Sequence, residues 1–376
     1  MGSLDIALVF FFVASLAGCA RLGYLLNMYK YNPSSVRSDN LPSVSVCIAA
    51  RNERHALSQC LEHVLSSDYD KLEILVLDDS SDDDTSAIIK SFASEGVRFI
   101  PGKTLPVGWL GKNHAYYTLS LEASSDILLF LDVDTLIAPH TVRQLVNEMV
   151  SSKSSMLSVL PRREDSARSS AILGTMRYLW ELFLSSKQTP PAASAIWLID
   201  SNRFNTMSQN MPFYAADVRL ETSIAGRLAA SGSYKAALGT RALGVRYEKH
   251  WKSQAETAIR LYYPFLESNG LYLVMSVIYL TGLLFTIGLA VMAGSSYAIA
   301  AVVLYLVICL GFGSYTTKSA GGPAGLFRVF LWPVLLVQEI ILLIVSAVRY
   351  RLKTVTWKGR NLAEQPVNHS HLRLDE

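Results

Sequence analysis

Leu72–Leu77 running into Asp78–Thr85, LEILVLDDSSDDDT, is the stretch that decides the fold. A short run of Leu, Ile and Val fits a strand buried on both faces. The Asp and Ser residues that follow lead into a helical pattern over Asp84–Ala93. The same order of strand, acidic turn and helix recurs on either side. Upstream, Ser43–Ala50 (SVSVCIAA) runs into Arg51-Asn52-Glu53 and an amphipathic helix over Arg54–Ser66. Downstream, the strand Val97–Ile100 precedes a helix over Lys112–Glu122. Ile127–Leu131 (ILLFL) then runs into Asp132-Val133-Asp134, and Pro139 opens a helix ending near Val150. Strands at intervals of about 25–30 residues with helices between them predict βαβ units and a mostly parallel sheet. Ligands bind such sheets outside the carboxyl ends of the strands, and three of these ends are acidic.

The remainder of the chain is unusually apolar. Of 376 residues, 51% are hydrophobic and 17% charged, against about 25% charged in ordinary soluble domains. This excludes a disordered chain and a soluble protein with a broad basic face. A net charge of +3 implies no polyanionic partner, so no nucleic acid is expected. The apolar excess is concentrated in residues 4–26, Leu271–Ala293, Tyr297–Gly313 and Leu326–Val348, and about 20 such residues span a bilayer as a helix. Residues 4–26 read as an uncleaved anchor, because no basic segment precedes them and no small-residue cleavage site follows a short apolar core. The expected division is an anchor over 1–30, a linker over 31–42, an α/β domain over 43–265, a membrane region over 266–350 and a basic tail over 351–376. The four cysteines have neither metal nor redox spacing and predict free thiols. His369 and His371 could bind metal, but a frayed end is the expected state of residues 362–376.

One acidic strand end is explained by an aspartate capping the next helix. Three on one edge repel one another unless a divalent cation or polar ligand groups lie between them. Asp132-Val133-Asp134 suits Mg²⁺ or Mn²⁺, which bind through one or two carboxylates plus substrate phosphates.

These motifs in order resemble the family 2 glycosyltransferases. Ala49-Ala50-Arg51-Asn52-Glu53 is similar to the family's Pro-x-Arg-Asn-Glu, Asp78–Thr85 to its Asp-Asp-x-Ser-x-Asp-x-Thr, and Asp132-Val133-Asp134 to its Asp-x-Asp. Gly108–Ala115 (GWLGKNHA) and Trp357-Lys358-Gly359-Arg360 resemble the membrane-bound branch that glycosylates lipids, including carotenoid-acid, hopanoid-associated and ceramide glycosyltransferases. The resemblance implies the GT-A fold, Rossmann-like with a mostly parallel sheet, carrying an N-terminal transmembrane helix and C-terminal membrane helices. It also implies that Ala50, Arg51, Glu53 and Asp79 line the base and ribose of a nucleotide sugar, a UDP-sugar by preference. Asp132 would touch the ribose or diphosphate and share the metal with Asp134, and Lys112 would lie near the phosphates or sugar. Arg246 and Trp251 would close over the diphosphate. Asp217, in Ala215–Leu220 before a helical run to Ala230, stands in the position of the catalytic base, with Ala216 replacing the usual first acid. Glu221 is the fallback and Asp200 a further candidate. A plain capping role is the competing reading of Asp217, as a surface charge is of Arg246 and a solvated lysine of Lys112.

The expected activity is therefore inverting, metal-dependent transfer of one sugar to a lipid acceptor drawn from the bilayer. Two alternatives remain: a polyprenyl-phosphate sugar synthase, and a membrane scaffold that has lost catalysis. The absence of Gln-x-x-Arg-Trp argues against processive synthesis. Lys30 and Arg37 after the first apolar segment place the catalytic block in the cytoplasm by the positive-inside rule. The same rule would keep Arg349, Arg351, Lys353, Lys358 and Arg360 inside, which three later spans would not allow. Leu326–Val348, interrupted by Trp332-Pro333 and carrying Gln338-Glu339, is the segment expected to be re-entrant or interfacial, with an ordinary third span as the alternative.

Overall fold

A computed structural model describes residues 2–32, 40–164, 170, 173–209, 214–319 and 328–362. His369, His371 and most of the expected linker lie outside the described residues. The chain forms two compact units, one of residues 31–163, 185–248 and 353–376, the other of residues 1–30, 164–184 and 249–352.

The first unit contains the sheet. Strands β1 (Val44–Ala50), β2 (Leu72–Asp78), β3 (Val97–Pro101) and β4 (Ile127–Leu131) are parallel neighbours in the order β3-β2-β1-β4. The short β5 (Thr135–Leu136) and β7 (Arg162–Arg163) flank β10 (Arg246–Tyr247) in a small second sheet. The main sheet continues through β6 (Met156–Leu160), β8 (Ile196–Asp200) and β9 (Tyr234–Leu238) to the order β3-β2-β1-β4-β8-β6-β9. Within it, β8 runs antiparallel to both neighbours.

Successive side chains on a strand point to opposite faces, and both faces here are apolar. Val44, Val46, Ile48, Ile127, Leu129 and Leu131 pack on Leu57 and Leu61 of helix Leu57–Leu65 and on Val142 and Leu145 of helix Thr141–Ser151. On the other face Cys47, Leu128 and Phe130 meet Tyr116 and Leu119 of helix Gly111–Glu122 and Ile224 of helix Leu220–Ala230. Each such large aliphatic side chain contributes about 1.5–3 kcal/mol when fully buried. Phe130 lies opposite Trp197 across β4 and β8, and the rings stack with centroids 4.3 Å apart. This two-faced core explains why β1 and β4 read as nearly continuous apolar runs, whereas the edge strand β3 exposes Arg98 and Pro101. Pro139 stands just ahead of its helix, which begins at Thr141 after His140.

The second unit is helical. Ser3–Met28, Gly270–Met292, Trp332–Arg351 and most of Ser295–Ser319 are long and apolar enough to cross a membrane by length and composition. Pro333 opens Trp332–Arg351 within its first turn and does not break it. Glu339, 2% exposed, accepts hydrogen bonds from Met176 N at 3.1 Å, Trp180 Nε1 at 2.8 Å, Gln338 Nε2 at 3.4 Å and the Tyr262 hydroxyl. The compact units also cut the chain differently from the linear segments expected of it. Residues 173–184 and 249–265 pack with the apolar helices, and residues 353–362 pack with the sheet. A contact-defined unit follows apolar faces, which sequence order alone does not reveal.

Candidate active site

The carboxyl ends of β1, β2 and β4 are adjacent, because these strands are neighbours in the sheet. Ala50 closes β1, and its carbonyl accepts from Asp79 N at 2.8 Å, which joins the first two acidic turns. Arg51 Nη1 donates to the carbonyls of Asp79 and of Ser80 (3.0 Å), and Nε to Lys358 O at 3.2 Å. Asn52, at φ +53°, turns the chain so that its N–H meets Ser81 Oγ at 3.0 Å and its Oδ1 accepts from Asp82 N at 2.9 Å. Glu53 N donates to Thr85 Oγ1 at 2.9 Å. Asp78 is a scaffold for its own turn, accepting from Ser81 N at 3.1 Å and Ser86 Oγ at 2.8 Å.

The expected repulsion between carboxylates is relieved in part by the chain itself. Arg360 grips Asp79 in a bidentate pair, with Nη1–Oδ2 at 2.6 Å and Nη2–Oδ1 at 3.1 Å. Lys358 Nζ lies 2.9 Å from Glu53 Oε1. Lys112 Nζ lies 2.5 Å from Asp132 Oδ1, so it is engaged with the acidic loop and is not a solvated lysine. Ser194 Oγ and the Tyr116 hydroxyl also donate to Asp132, at 3.2 and 3.4 Å. Beneath this loop, burial pushes the Cys60 thiol up, and the charges of Asp134, Asp132 and Glu53 add to it. The Tyr116 phenol is raised well above its usual value by burial, then by Asp132 and Glu221, so the fallback acid Glu221 is also near the site.

Asp217 is brought in by Asn113. This buried amide donates to the carbonyls of Tyr214, Ala215 and Asp217 at 2.9, 3.2 and 2.8 Å. Leu110 N adds a bond to Ala215 O at 2.8 Å. The helix here begins at Leu220 after Arg219, and Asp217 Oδ1 accepts from Arg219 N at 2.8 Å. Asp217 therefore shapes the turn ahead of the helix and is not its N-cap. Asp200 does cap, accepting from Arg203 N at 2.9 Å at the start of helix Ser201–Ser208. Arg246 sits on β10, whose Tyr247 pairs with Thr135 beside the Asp132–Asp134 loop, and its Nη2 meets His63 Nε2 at 3.2 Å. Trp251 belongs to the helical unit, where its Nε1 donates to Gln338 Oε1 at 3.0 Å.

Sequence reasoning did not single out Tyr116 or Ser194, held Asn113 only within the Gly108–Ala115 resemblance, and used Lys358 and Arg360 only in a resemblance and as basic charges after the last apolar segment. Lys112-Asn113 directly opening a helix after Gly111 was the one local signal available. The partners of Lys358 and Arg360 carry no such signal.

A parallel-led sheet with an acidic carboxyl edge places the candidate site of this α/β domain outside the strand ends. The model of glycosyl transferase family 2 matches residues 45–200, from β1 through β8. An N-acetylglucosaminyltransferase of Bradyrhizobium elkanii is 36% identical over 129 residues, covering 31% of this chain and 69% of the relative. A 4,4'-diaponeurosporenoate glycosyltransferase of Staphylococcus haemolyticus is 33% identical over 115 residues, 30% of each chain. Its counterpart in Staphylococcus aureus strain MRSA252 is 27% identical over 127 residues, 32% of each chain. The chain thus spans under a third of the length of these staphylococcal relatives. The solved mannosyltransferase PcManGT of Pyrobaculum calidifontis, in complex with GDP-Man and Mn²⁺, superposes with a TM-score of 0.58 at 16% identity, over 92% of this chain and 98% of that one. At that identity the likeness is one of fold. The chain belongs to glycosyl transferase family 2 and is a glycosyltransferase with a GT-A-like fold.

Proposed function

We propose that the chain transfers a single sugar from a nucleotide-diphosphate sugar, by preference a UDP-sugar, to a membrane lipid, with inversion and with Mg²⁺ or Mn²⁺. The observation that carries this reading is that two successive residues link the two halves of the chemistry. Lys112 bonds Asp132 of the acidic loop, and Asn113 bonds the turn that bears Asp217. One helix start thereby ties the donor side to the base side, as a direct displacement requires.

Asp217 takes the proton from an acceptor hydroxyl as its oxygen attacks the anomeric carbon from the side opposite the diphosphate. The bond from that carbon to the diphosphate breaks in the same step, which inverts the centre. Lys112 and Arg246 would steady the negative charge on the departing group. The donor set suits a hard cation. The loop offers only carboxylate oxygens, and among the described residues no three His, Cys, Asp or Glu side chains gather as a ready ligand set. Such a cation completes its shell with phosphate oxygens and water. Asp132 and Asp134 are assigned the metal together, with Lys112 and Ser194 also bonded to Asp132. When bound, the metal neutralises charge on the diphosphate. The GDP-Man and Mn²⁺ of the archaeal neighbour and the names of the staphylococcal relatives support the donor class, the cation and an acceptor outside the sugars.

The catalytic unit faces the cytoplasm in this reading. Residues 353–362 pack with the sheet, so an even number of crossings separates them from residue 248. Helix Trp332–Arg351 is the one we assign to the interface. It lies along helix Trp251–Phe265, with Tyr263 N donating to Ser346 Oγ at 3.0 Å and the Tyr350 hydroxyl to Arg260 O at 2.8 Å. That companion helix carries Lys252, Glu256 and Arg260, which are costly at bilayer depth. A tag at residue 376 reachable only from outside the cell would overturn this arrangement.

Nucleotide release from UDP- and GDP-sugars, measured with membrane lipid extracts and followed by mass spectrometry of the lipids, tests the function. Release should depend on divalent cation and be lost in Asp134→Ala and Asp217→Asn. Full activity in both variants would overturn the roles of these two carboxylates.

A further inference from the structure

The segment after residue 352 folds into a tight hairpin of β11 (Thr356–Trp357) and β12 (Arg360–Asn361). Its two turn residues, Lys358 and Gly359, both have positive φ, +48° and +80°. That is the geometry of a two-residue turn whose twist matches its strands, and glycine adopts it without strain. The base of the hairpin is fixed. Leu362 N donates to Val355 O at 2.8 Å, Asn361 Nδ2 donates to Lys353 O at 2.9 Å, and Val355 and Leu362 are buried.

From this base the hairpin reaches the ends of β1 and β2 through four residues. Arg360 pairs with Asp79, Lys358 pairs with Glu53 and also donates to Asn52 O at 3.3 Å, and Arg51 donates to Lys358 O. The helix start is kept clear for this arrangement. A Cβ at Gly111 would lie 2.8 Å from Asp79 Oδ2 and collide with Arg360 Nη1. The glycine therefore lets the guanidinium pass beside the residue that precedes Lys112.

We infer that this hairpin is a wall of the donor pocket, and that Arg360 and Lys358 are positioning residues orienting Asp79 and Glu53 toward the nucleoside of a nucleoside diphosphate. The inference rests on the nucleotide-sugar reading above. A carboxylate has about four lone-pair sites, and a bidentate guanidinium occupies two of them. The other two remain on Asp79 for a ribose hydroxyl or a base N–H. Arg360 fixes the plane of the carboxylate and hence where those sites point. Lysine, a single-point charge, cannot fix that plane.

The test is titration of UDP and of GDP, each with Mn²⁺, into the full-length protein in detergent micelles. Arg360→Ala should weaken binding of the preferred nucleotide about 10- to 100-fold, the loss expected for one charge-assisted contact. Lys358→Ala should weaken it less, and Arg360→Lys should recover only part of the loss. The thermal midpoint should stay within about 2 °C of the parent. Should a variant unfold, hydrogen exchange on the unmodified chain decides the matter: nucleotide should slow exchange at the Leu362 amide. A parent that binds neither nucleotide would sink the function proposed above. A parent that binds, with Arg360→Ala binding equally well and no protection at Leu362, would overturn only the hairpin's role. Tighter binding in Arg360→Ala would overturn it too, because the hairpin would then be competing with the nucleotide.

Discussion

Glu339 in the helical unit and Asp79 at the sheet edge are both nearly inaccessible, at 2% and 5% exposure, yet they are held in opposite ways. Glu339 is surrounded by neutral donors fixed on helices and backbone: an indole, a phenol, an amide side chain and a main-chain N–H. These saturate its oxygens and leave nothing for a ligand, so the carboxylate pins helices together. Asp79 is held by a cation on a hairpin, along one edge of its carboxylate. A buried acid thus marks a site only when part of its valence is left over.

Substitutions on either side separate the two roles. Lys112→Ala should do the most damage to function, lowering kcat/KM about 10²-fold by removing the charge beside Asp132, with little change in thermal midpoint. Substantial unfolding in this variant would show that the pair with Asp132 is structural. Glu339→Ala should do the reverse. It strands Trp180 Nε1 and the Tyr262 hydroxyl, at roughly 1–3 kcal/mol for each unsatisfied group, and should leave nucleotide affinity unchanged in the protein that remains folded. Weaker nucleotide binding there would erase the distinction.

Asn113→Ala should act on kcat more than on donor KM, by about tenfold, because it loosens the turn carrying Asp217 without touching the acidic loop. An equal rise in donor KM would move Asn113 to the donor side. The smallest effect concerns His114. Burial holds its imidazole below the usual value of 6.5, against the pull of Asp79 and with help from Lys103 and Arg360. Below 6.5 the unfolded chain binds the proton first, so stability should fall as pH drops through the window beneath that value and be flat above it. Thermal midpoints between about pH 5 and 8 check this, and His114→Gln should flatten that part of the profile.

Much of the fold was legible along the chain. Strands β1, β2 and β4 stand within a residue or so of their apolar runs, because strands largely buried on both faces need no alternation to be seen, and the shorter edge strand β3 was placed by its position between two helical patterns. The acidic turns were readable because they follow those strands directly, and Lys112 because it lies in the first turn of a helical pattern. Strands β6, β8 and β9 carried a weaker signal, since their spacing follows no repeating βα unit and β8 reverses direction. The pairing of Glu339 was also out of reach. Its donors come from three separate segments, and the sequence shows only a costly acid in an apolar helix. Arg360 was the least legible of all, because nothing local says that a basic residue after the last apolar helix will return to the second strand.

That return has a consequence for the order of events in making the protein. Asp79 and Arg360 are 281 residues apart, and the apolar helices from Gly270 to Arg351 are translated between them. The sheet edge is synthesised early, but its counter-charge arrives only after those helices have been placed. A chain that stalls before residue 353, or that inserts its helices wrongly, keeps its strands and lacks the cations that neutralise Asp79 and Glu53. In the arrangement proposed above, placement of those helices is what brings the counter-charge to the site, and a misthreaded copy would hold its nucleotide less tightly.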